Sequence, residues 1–587
     1  MNPSLPVQAI ERAVGDMCEL LKHGGPDDGG IASFPGEHLV LGNRRLSLLD
    51  LSSAGHQPMH YRERYTITYN GELYNFISLK KELMAGGMVF HNHTDTEVIL
   101  AAFAKWNTQS FSRLNGMFAF ALWDNEAKML YLVRDAAGIK PLYYSTSGNA
   151  LCFASEIRAF APAKQQFEKN EQVAVYQLAY GHIPEPVTTL KEVRPLPKGC
   201  FLQYDHTGKE YSLQLFSFFS FNEKINDAEE SVRLTTASIT DAVQRQMVAD
   251  APVGVFLSGG IDSGIVAGLA DITPNKALHT LSIYFKEEKY SEKKYQDLLV
   301  KKLNSQHHSI LLQEEDFHAQ FPAFMQAMDM PSCDGINTWF ISKFAAAEGL
   351  KAVLSGIGAD ELFGGYPSFK RMRAALSLQQ LPSGALRYAA RTRGRRTGRL
   401  GYLNINGMRG IYLFLRGHFT PEQIAAQLGG YEKDILQILD RMPYSQVLGD
   451  TGPGNSASWM EFNYYMQDQL LRDADTMSMA HGLEIRVPFL DNEVIRSAFS
   501  LSEEVKFDRA VQKELLVKSF SDILPPEIWQ RKKMGFSFPF AEWLGNSPYV
   551  KALSGSSNKQ TQKAYKDFMA GKLHWSRIMS LIVLNAA

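Results

Sequence analysis

Val7, Ile10, Val14, Met17 and Leu21 recur at spacings of three and four, which places them on one face of a helix. That helix is stopped by the Gly-Gly-Pro of residues 24 to 26. Beyond it come short runs rich in β-branched and aromatic residues: Tyr65 to Tyr69, Met117 to Trp123, Met129 to Val133 and Leu151 to Ala154. Several are bounded by Gly or Asn-Gly turns and read as strands. The first 200 residues therefore predict an antiparallel sheet sandwich with helices outside it.

From about residue 230 the pattern changes. Val253 to Leu257 is an apolar strand running into Ser-Gly-Gly, and Ile265 to Leu269 begins a helix. Leu278 to Phe285 is a strand followed by the helical Glu292 to Leu303; His308 to Leu312 and Lys351 to Leu354 are further strands, the last running into Ser-Gly-Ile-Gly. Strand, helix, strand units with glycine turns imply a parallel, doubly wound sheet whose ligands bind beyond the carboxyl ends of its strands. Residues from about 370 to 460 read as helical and irregular.

The chain has 587 residues, 45% of them hydrophobic. One core stops growing beyond roughly 250 to 300 residues, so at least two domains are expected. With 61 Lys+Arg against 62 Asp+Glu there is no general electrostatic drive toward nucleic acid or an anionic membrane. Six arginines between Arg387 and Arg399 read as a solvated basic face, with a nucleic-acid arm as the alternative. Cys18, Cys152, Cys200 and Cys333 form no zinc-type spacing. The first residues lack the basic and apolar regions of a secretory signal, and no window approaches the roughly 20 apolar residues of a membrane span. The expectation is a soluble, cytoplasmic protein with reduced thiols.

Candidate chemistry centres on two loops. Ser258-Gly259-Gly260-Ile261-Asp262-Ser263 follows a strand and opens a helix. Glycine backbone, two hydroxyls and a helix N-terminus make an anion cradle. GxxxxGK[ST] is absent, and an Asp in place of the phosphate-reaching Lys suits a metal-bound pyrophosphate leaving group. That points to attack on an α-phosphate and an adenylated intermediate. Ser355-Gly356-Ile357-Gly358-Ala359-Asp360-Glu361 also follows a strand, and Asp262 with Asp360 is the expected pair of Mg²⁺ ligands. Glu361 reads equally as an acid suiting its helix dipole.

These loops and their surroundings resemble the glutamine-dependent asparagine synthetase family. The matches include Arg44-Arg45-Leu46-Ser47, Tyr69-Asn70-Gly71-Glu72-Leu73-Tyr74-Asn75, Asp95-Thr96-Glu97, Leu114-Asn115-Gly116-Met117-Phe118, Arg134-Asp135, Leu362-Phe363-Gly364-Gly365-Tyr366, Arg486-Val487-Pro488-Phe489-Leu490-Asp491 and Lys533 in Arg-Lys-Lys-Met-Gly-Phe. The resemblance implies an N-terminal-nucleophile-type αββα glutaminase over 1–205, a linker over 206–230 and an ATP-pyrophosphatase synthetase domain over 231–587 with a helical C-terminal part. It implies conversion of aspartate to asparagine through β-aspartyl-AMP, with ATP, Mg²⁺ and nitrogen from glutamine or ammonia. By position, Leu257, Ile283, Ser355 and Gly356 would hold ATP, and Ser258, Gly259, Gly260, Asp262 and Ser263 its pyrophosphate. Lys533 would stabilise charge on the adenylate. Arg486 is the candidate for the substrate carboxylate, with a buried ion pair to Glu484 or Asp491 as the alternative. Arg45, Asn70, Gly71, Glu72 and Asp95 would hold glutamine, Asp95 on its amino group and Arg45 on its carboxylate. Asn70-Gly71 read alone is a turn signal. Nucleic-acid and membrane partners are not expected; a homodimer is the assembly considered.

Three departures from the family pattern matter. The family's nucleophile is a cysteine at residue 1 of the processed chain, whereas this sequence starts Met1-Asn2, and Cys18 sits in the first predicted helix. A truncated start lacking one strand is the expectation, with loss of glutaminase activity as its rival; the intact mass of protein from its native source separates them. Gly24 replaces the arginine of the family's His-Arg-Gly-Pro-Asp loop. Ile357 stands where many members carry an acid, and isoleucine can neither accept a proton nor bind ammonium. A different carboxylate or amine, as in β-lactam synthetases or peptide macrocyclases, is therefore an open alternative, and a non-catalytic scaffold is another.

Overall fold

The computed structural model describes the chain except residues 3, 148–149, 274–276, 393–396, 443–450, 508–511, 533, 535–537 and 587, and the side chains of 164–166, 391 and 392. The helix Val7–Leu20 leads into a two-stranded sheet of β1 (Asp28–Phe34) and β2 (Leu39–Arg45). Then follow β3 (Met59–Tyr61), β4 (Tyr65–Leu73), β5 (Gly116–Asp124), β6 (Met129–Arg134), β7 (Tyr143–Ser145), β8 (Cys152–Ala154), β9 (Arg194–Pro195), β10 (Cys200–Asp205) and β11 (Glu210–Leu215). An antiparallel sheet runs β11-β10-β6-β5-β4-β3, and a smaller one β8-β7-β9.

Period-two alternation in β5 explains the layers. Phe118, Phe120 and Leu122 pack under the helices Phe76–Ala85 and Asp95–Trp106, whereas Ala119, Ala121 and Trp123 face Leu39, Leu41 and Leu142 of the opposite layer. Met1 and Asn2 lie between the two small sheets: the Met1 amine donates to Leu151 O at 2.9 Å and Asn2 N to His38 O at 3.2 Å.

The second half is built on β12 (Val253–Phe256), β13 (Leu278–Tyr284), β14 (Ser305–Leu311), β15 (Ala352–Leu354) and β16 (Glu484–Arg486), all parallel, in the order β14-β13-β12-β15-β16. The central strands are buried on both faces, which explains their near-continuous apolar sequence. Strand order reverses between β12 and β15, so a crevice opens beyond their carboxyl ends. Both candidate anion loops leave from those two strands.

One boundary differs from the sequence reading. Residues 210–215, expected in the linker, pair along β10 as the edge strand β11. The connection therefore spans 216–227, ahead of the helix Ala228–Gln246. The halves are tied by polar contacts: Lys140 Nζ lies 3.0 Å from Asp475, and Arg472 donates to Ile183 O at 2.6 Å. Lys198 Nζ donates to Asn463 Oδ1 at 2.6 Å from under the wide-turned helix Glu461–Leu471.

Candidate functional site

The loop after β12 folds back on its own hydroxyls. Ser258 N donates to Ser263 Oγ at 3.2 Å, and the Ser258 and Ser263 hydroxyls are 3.0 Å apart. Gly259 has φ of +80°, a conformation that costs glycine little, and Gly260 caps the helix Ile261–Asp271. Leu257 is anchored to β13 by its N–H to Leu281 O at 2.8 Å, and Ile283 lies buried on the same strand.

The loop after β15 presses against the first one. A Cβ on Gly356 would lie 2.8 Å from Asp262 Cβ and 3.2 Å from Ser263 N, so this position admits no side chain while the loops stay in contact. Ser355 N is fixed by Arg486 O of β16 at 2.8 Å. The contact brings the two predicted carboxylates together. Lys513 Nζ lies 2.6 and 2.7 Å from the Asp262 oxygens and 2.5 Å from Asp360 Oδ1.

Burial disfavours the Lys513 charge, but the two carboxylates outweigh it and hold the ammonium above its ordinary pKa. Lys513 also has φ of +54°, a backbone cost kept where surrounding structure fixes the residue. Sequence reading missed it, because no local motif marks a lysine that reaches loops some 150 and 250 positions upstream. Convergent carboxylate oxygens around one cationic point fit a hard divalent ion completed by phosphate oxygens and water. Among the described residues no group of three or more His, Cys, Asp or Glu could hold a metal alone.

Lys533 lies outside the described residues. Two positions earlier, Arg531 donates to Gly259 O at 2.9 Å and to Glu292 at 2.5 Å, so this segment reaches the first loop. Glu361 is buried beside Asp360 and accepts from Tyr366 OH at 2.8 Å; burial first, then Asp360, pushes it up to about 7.

Arg486 is a correction. Its side chain is fully buried: Nε donates to Glu484 at 3.1 Å, Nη1 to the carbonyls of Gln246 and Val248, and Nη2 lies 3.5 Å from Glu72. The ion pair with Glu484 is thus the alternative realised, and the guanidinium is spent inside the protein rather than offered to a substrate carboxylate. Burial opposes its charge, and Glu72 and Glu484 more than offset that.

Arg45, Asn70, Gly71, Glu72 and Asp95 come together around a cavity of about 70 Å³, also lined by Gly24, Met479 and Glu484. Asn70-Gly71 is no turn. It lies inside β4 opposite Ala119 and Phe118, and Gly71, at φ +135°, passes so near Met117 O that a Cβ would lie 2.0 Å from it. Asp95 Oδ2 accepts from Tyr69 OH at 2.8 Å and Leu73 N at 2.9 Å; burial raises its pKa and those donors partly restore it. Arg45 donates to the carbonyls of Leu49, Asp50 and Ser52, shaping the rim. Burial drives Glu72 well above the carboxylate range despite Arg486. None of the four cysteines lines the cavity, and burial raises the pKa of each, so none is poised as a thiolate. Met479 and Glu484 come from the other half of the chain and could not have been placed by sequence.

A sandwich with a polar pocket, joined to a parallel sheet carrying paired anion loops, defines an enzyme of the glutamine-hydrolysing ligase type. Two family models divide the chain accordingly: the glutamine amidotransferase domain matches residues 5–215 and asparagine synthase residues 235–570. The chain belongs to the asparagine synthase family, whose members use ATP as a substrate. It is 32% identical over 556 residues to asparagine synthetase (glutamine-hydrolysing) 1 of Bacillus subtilis (strain 168), covering 91% of this chain and 85% of that protein. Asparagine synthetase (glutamine-hydrolysing) 3 of the same organism is 30% identical over 88% of this chain and 82% of its own length. Amidase chry2 of Gibberella zeae is 26% identical over 91% of this chain and 86% of its own. Among the described residues no helix is long and apolar enough to cross a membrane.

Proposed function

We propose that this chain converts aspartate to asparagine by ATP-dependent adenylation of the side-chain carboxyl, with nitrogen from glutamine or ammonia and release of AMP and pyrophosphate. The observation that carries the reading is the meeting of Asp262 and Asp360 on one cation. The Ser258 and Ser263 hydroxyls, the main-chain N–H groups between them and the helix N-terminus at Ile261 bind the departing pyrophosphate. Asp262 and Asp360 would hold Mg²⁺, which supplies charge neutralisation on the phosphates. Lys513, already between the carboxylates, turns its donors to the same oxygens. Leu257, Ile283, Ser355 and Gly356 frame the nucleotide, and Lys533 keeps the adenylate-stabilising role its motif implies. In the other half Asp95 and Arg45 keep the amino and carboxylate ends of glutamine as their assignments.

Pyrophosphate release with ATP, Mg²⁺ and aspartate, with ammonium and then glutamine as nitrogen source, tests the reading. Release that depends on aspartate supports it; no release with any carboxylate overturns it and leaves the scaffold.

A second reading is favoured by Ile357. This half-buried residue sits between Gly356 and Gly358 on the second loop and presents hydrocarbon. Aspartate brings an α-ammonium that wants a carboxylate nearby. An acceptor without an amino group makes no such demand, which makes the same chemistry on another carboxylate the second reading.

A further inference from the structure

We propose that Arg531 is a positioning residue for the pyrophosphate end of the nucleotide: it clamps the first anion loop so that the loop's donors face one anion. The role rests on the reading of residues 258–263 as the seat of pyrophosphate.

The first observation is how Arg531 is held. Its side chain is 11% exposed and reaches 272 positions upstream, where Nη2 donates to Gly259 O at 2.9 Å and pairs with Glu292 at 2.5 Å. The guanidinium carbon lies 4.0 Å from the centre of the Tyr295 ring. Glu292 and Tyr295 belong to the start of the helix Lys293–Val300, and a Cβ on Gly259 would lie 3.1 Å from both Tyr295 Cβ and Gln296 N. Stacking fixes the plane of the guanidinium, and its two acceptors fix its rotation within that plane. The Gly259 carbonyl therefore meets a donor with little freedom to drift.

The second observation is what that carbonyl controls. The peptide between Gly259 and Gly260 is trans, and in a planar trans peptide the carbonyl and the following N–H point to opposite sides. With Gly259 O turned to Arg531, Gly260 N–H turns the other way and faces Ser258 Oγ at 3.4 Å. Ser258 Oγ in turn lies 3.0 Å from Ser263 Oγ. Gly259, at φ +80°, could otherwise flip this peptide at small cost, since glycine tolerates both hands of backbone. Arg531 removes that freedom, and donors fixed in advance lose less entropy when the anion arrives.

The third observation is a donor left over. Arg531 Nη1 is buried and has no acceptor among the described residues. A buried guanidinium N–H without a partner is costly, and this one belongs to the same planar fork that grips the loop. An anion seated on the loop has the charge to meet it. AMP, which lacks the β- and γ-phosphates, makes no use of the clamp.

The test is equilibrium binding of magnesium pyrophosphate and, separately, of AMP to the full chain and to its Arg531→Lys variant. Lysine keeps the charge beside Glu292 but has neither the fork nor the flat face. The variant is expected to bind pyrophosphate about tenfold more weakly and AMP within about twofold of wild type. Thermal unfolding checks that it is folded. Tyr295→Leu removes the stacking platform, leaves the charge pair and is expected to weaken pyrophosphate binding about threefold; it decides the matter where Arg531→Lys does not fold. Unchanged pyrophosphate affinity in the folded variant overturns the proposal. So do equal losses for pyrophosphate and AMP, which mean general damage to the site, and absence of pyrophosphate binding by wild type. Because binding is read without turnover, failure of the adenylation reading shows separately, as no pyrophosphate release with any carboxylate.

Discussion

Asp262 and Asp360 leave from different strands, yet their carboxylates close on the same Lys513 ammonium, at 2.6 and 2.5 Å. Two carboxylates this close repel unless a cation lies between them. Lys513→Met therefore unmasks the cation site. Removing one partner of a largely buried ion pair costs about 3–5 kcal/mol. The variant is expected to unfold at lower temperature in EDTA and to regain stability in millimolar Mg²⁺ more than wild type does. Thermal unfolding with and without Mg²⁺ measures this, and an equal response of both proteins tells against a shared site.

Contact between the loops depends on the missing side chain of Gly356. Gly356→Ala sets a Cβ 2.8 Å from that of Asp262. Overpacking of this kind costs about 1–3 kcal/mol, and the loops can relieve it only by separating. A raised KM for ATP together with a lowered Tm is the expected result; a variant unchanged in both means the loops do not touch.

Arg486 gives a test of its corrected role. Arg486→Met leaves Glu484 and Glu72 without their cation and is expected to destabilise by about 3–5 kcal/mol in denaturant unfolding. Arg486→Lys restores charge without the fork that reaches Glu484, Glu72 and two carbonyls together, so it recovers only part of that loss. If Arg486 instead bound the acceptor, both variants would be as stable as wild type and differ only in KM for the carboxylate.

How far the sequence was legible is clearest at these positions. Period-two runs marked β4, β5, β6 and β8, and strand-glycine-helix punctuation marked both anion loops, because each is a local pattern. The helix after the first loop begins at Ile261, ahead of the expected Ile265, since Gly260 caps it. Asn70-Gly71 misled as a turn because its glycine answers to Met117 O on the neighbouring strand, a tertiary constraint that mimics a local one. Arg486 stayed open because sequence cannot say which acid a guanidinium reaches. Lys513, Met479 and Glu484 act over long separations, and nothing beside them announced it.

Lys198 carries a pH dependence. Burial pulls its ammonium down to about 7, against attraction from Glu185 and Asp468. Between that value and the ordinary lysine pKa the unfolded chain binds the extra proton, so stability rises with pH there and the full cost of the buried charge is present below it. Relative to Lys198→Met, wild type is expected to gain up to about 1.4 kcal/mol per pH unit from pH 7 to 10 and nothing from pH 5 to 6. Denaturant midpoints of both proteins across that range provide the check, and parallel curves mean the amine keeps an ordinary pKa.

The most direct measurement follows the oxygen of the acceptor. With the carboxylate that supports turnover labelled in its carboxyl group with heavy oxygen, wild type is expected to place one labelled oxygen in AMP and none in pyrophosphate, and Asp262→Asn and Asp360→Asn to lower that flux about 10²–10³-fold. Label in inorganic phosphate with ADP as co-product, or flux unaffected by either substitution, would contradict an acyl-adenylate formed between the two loops.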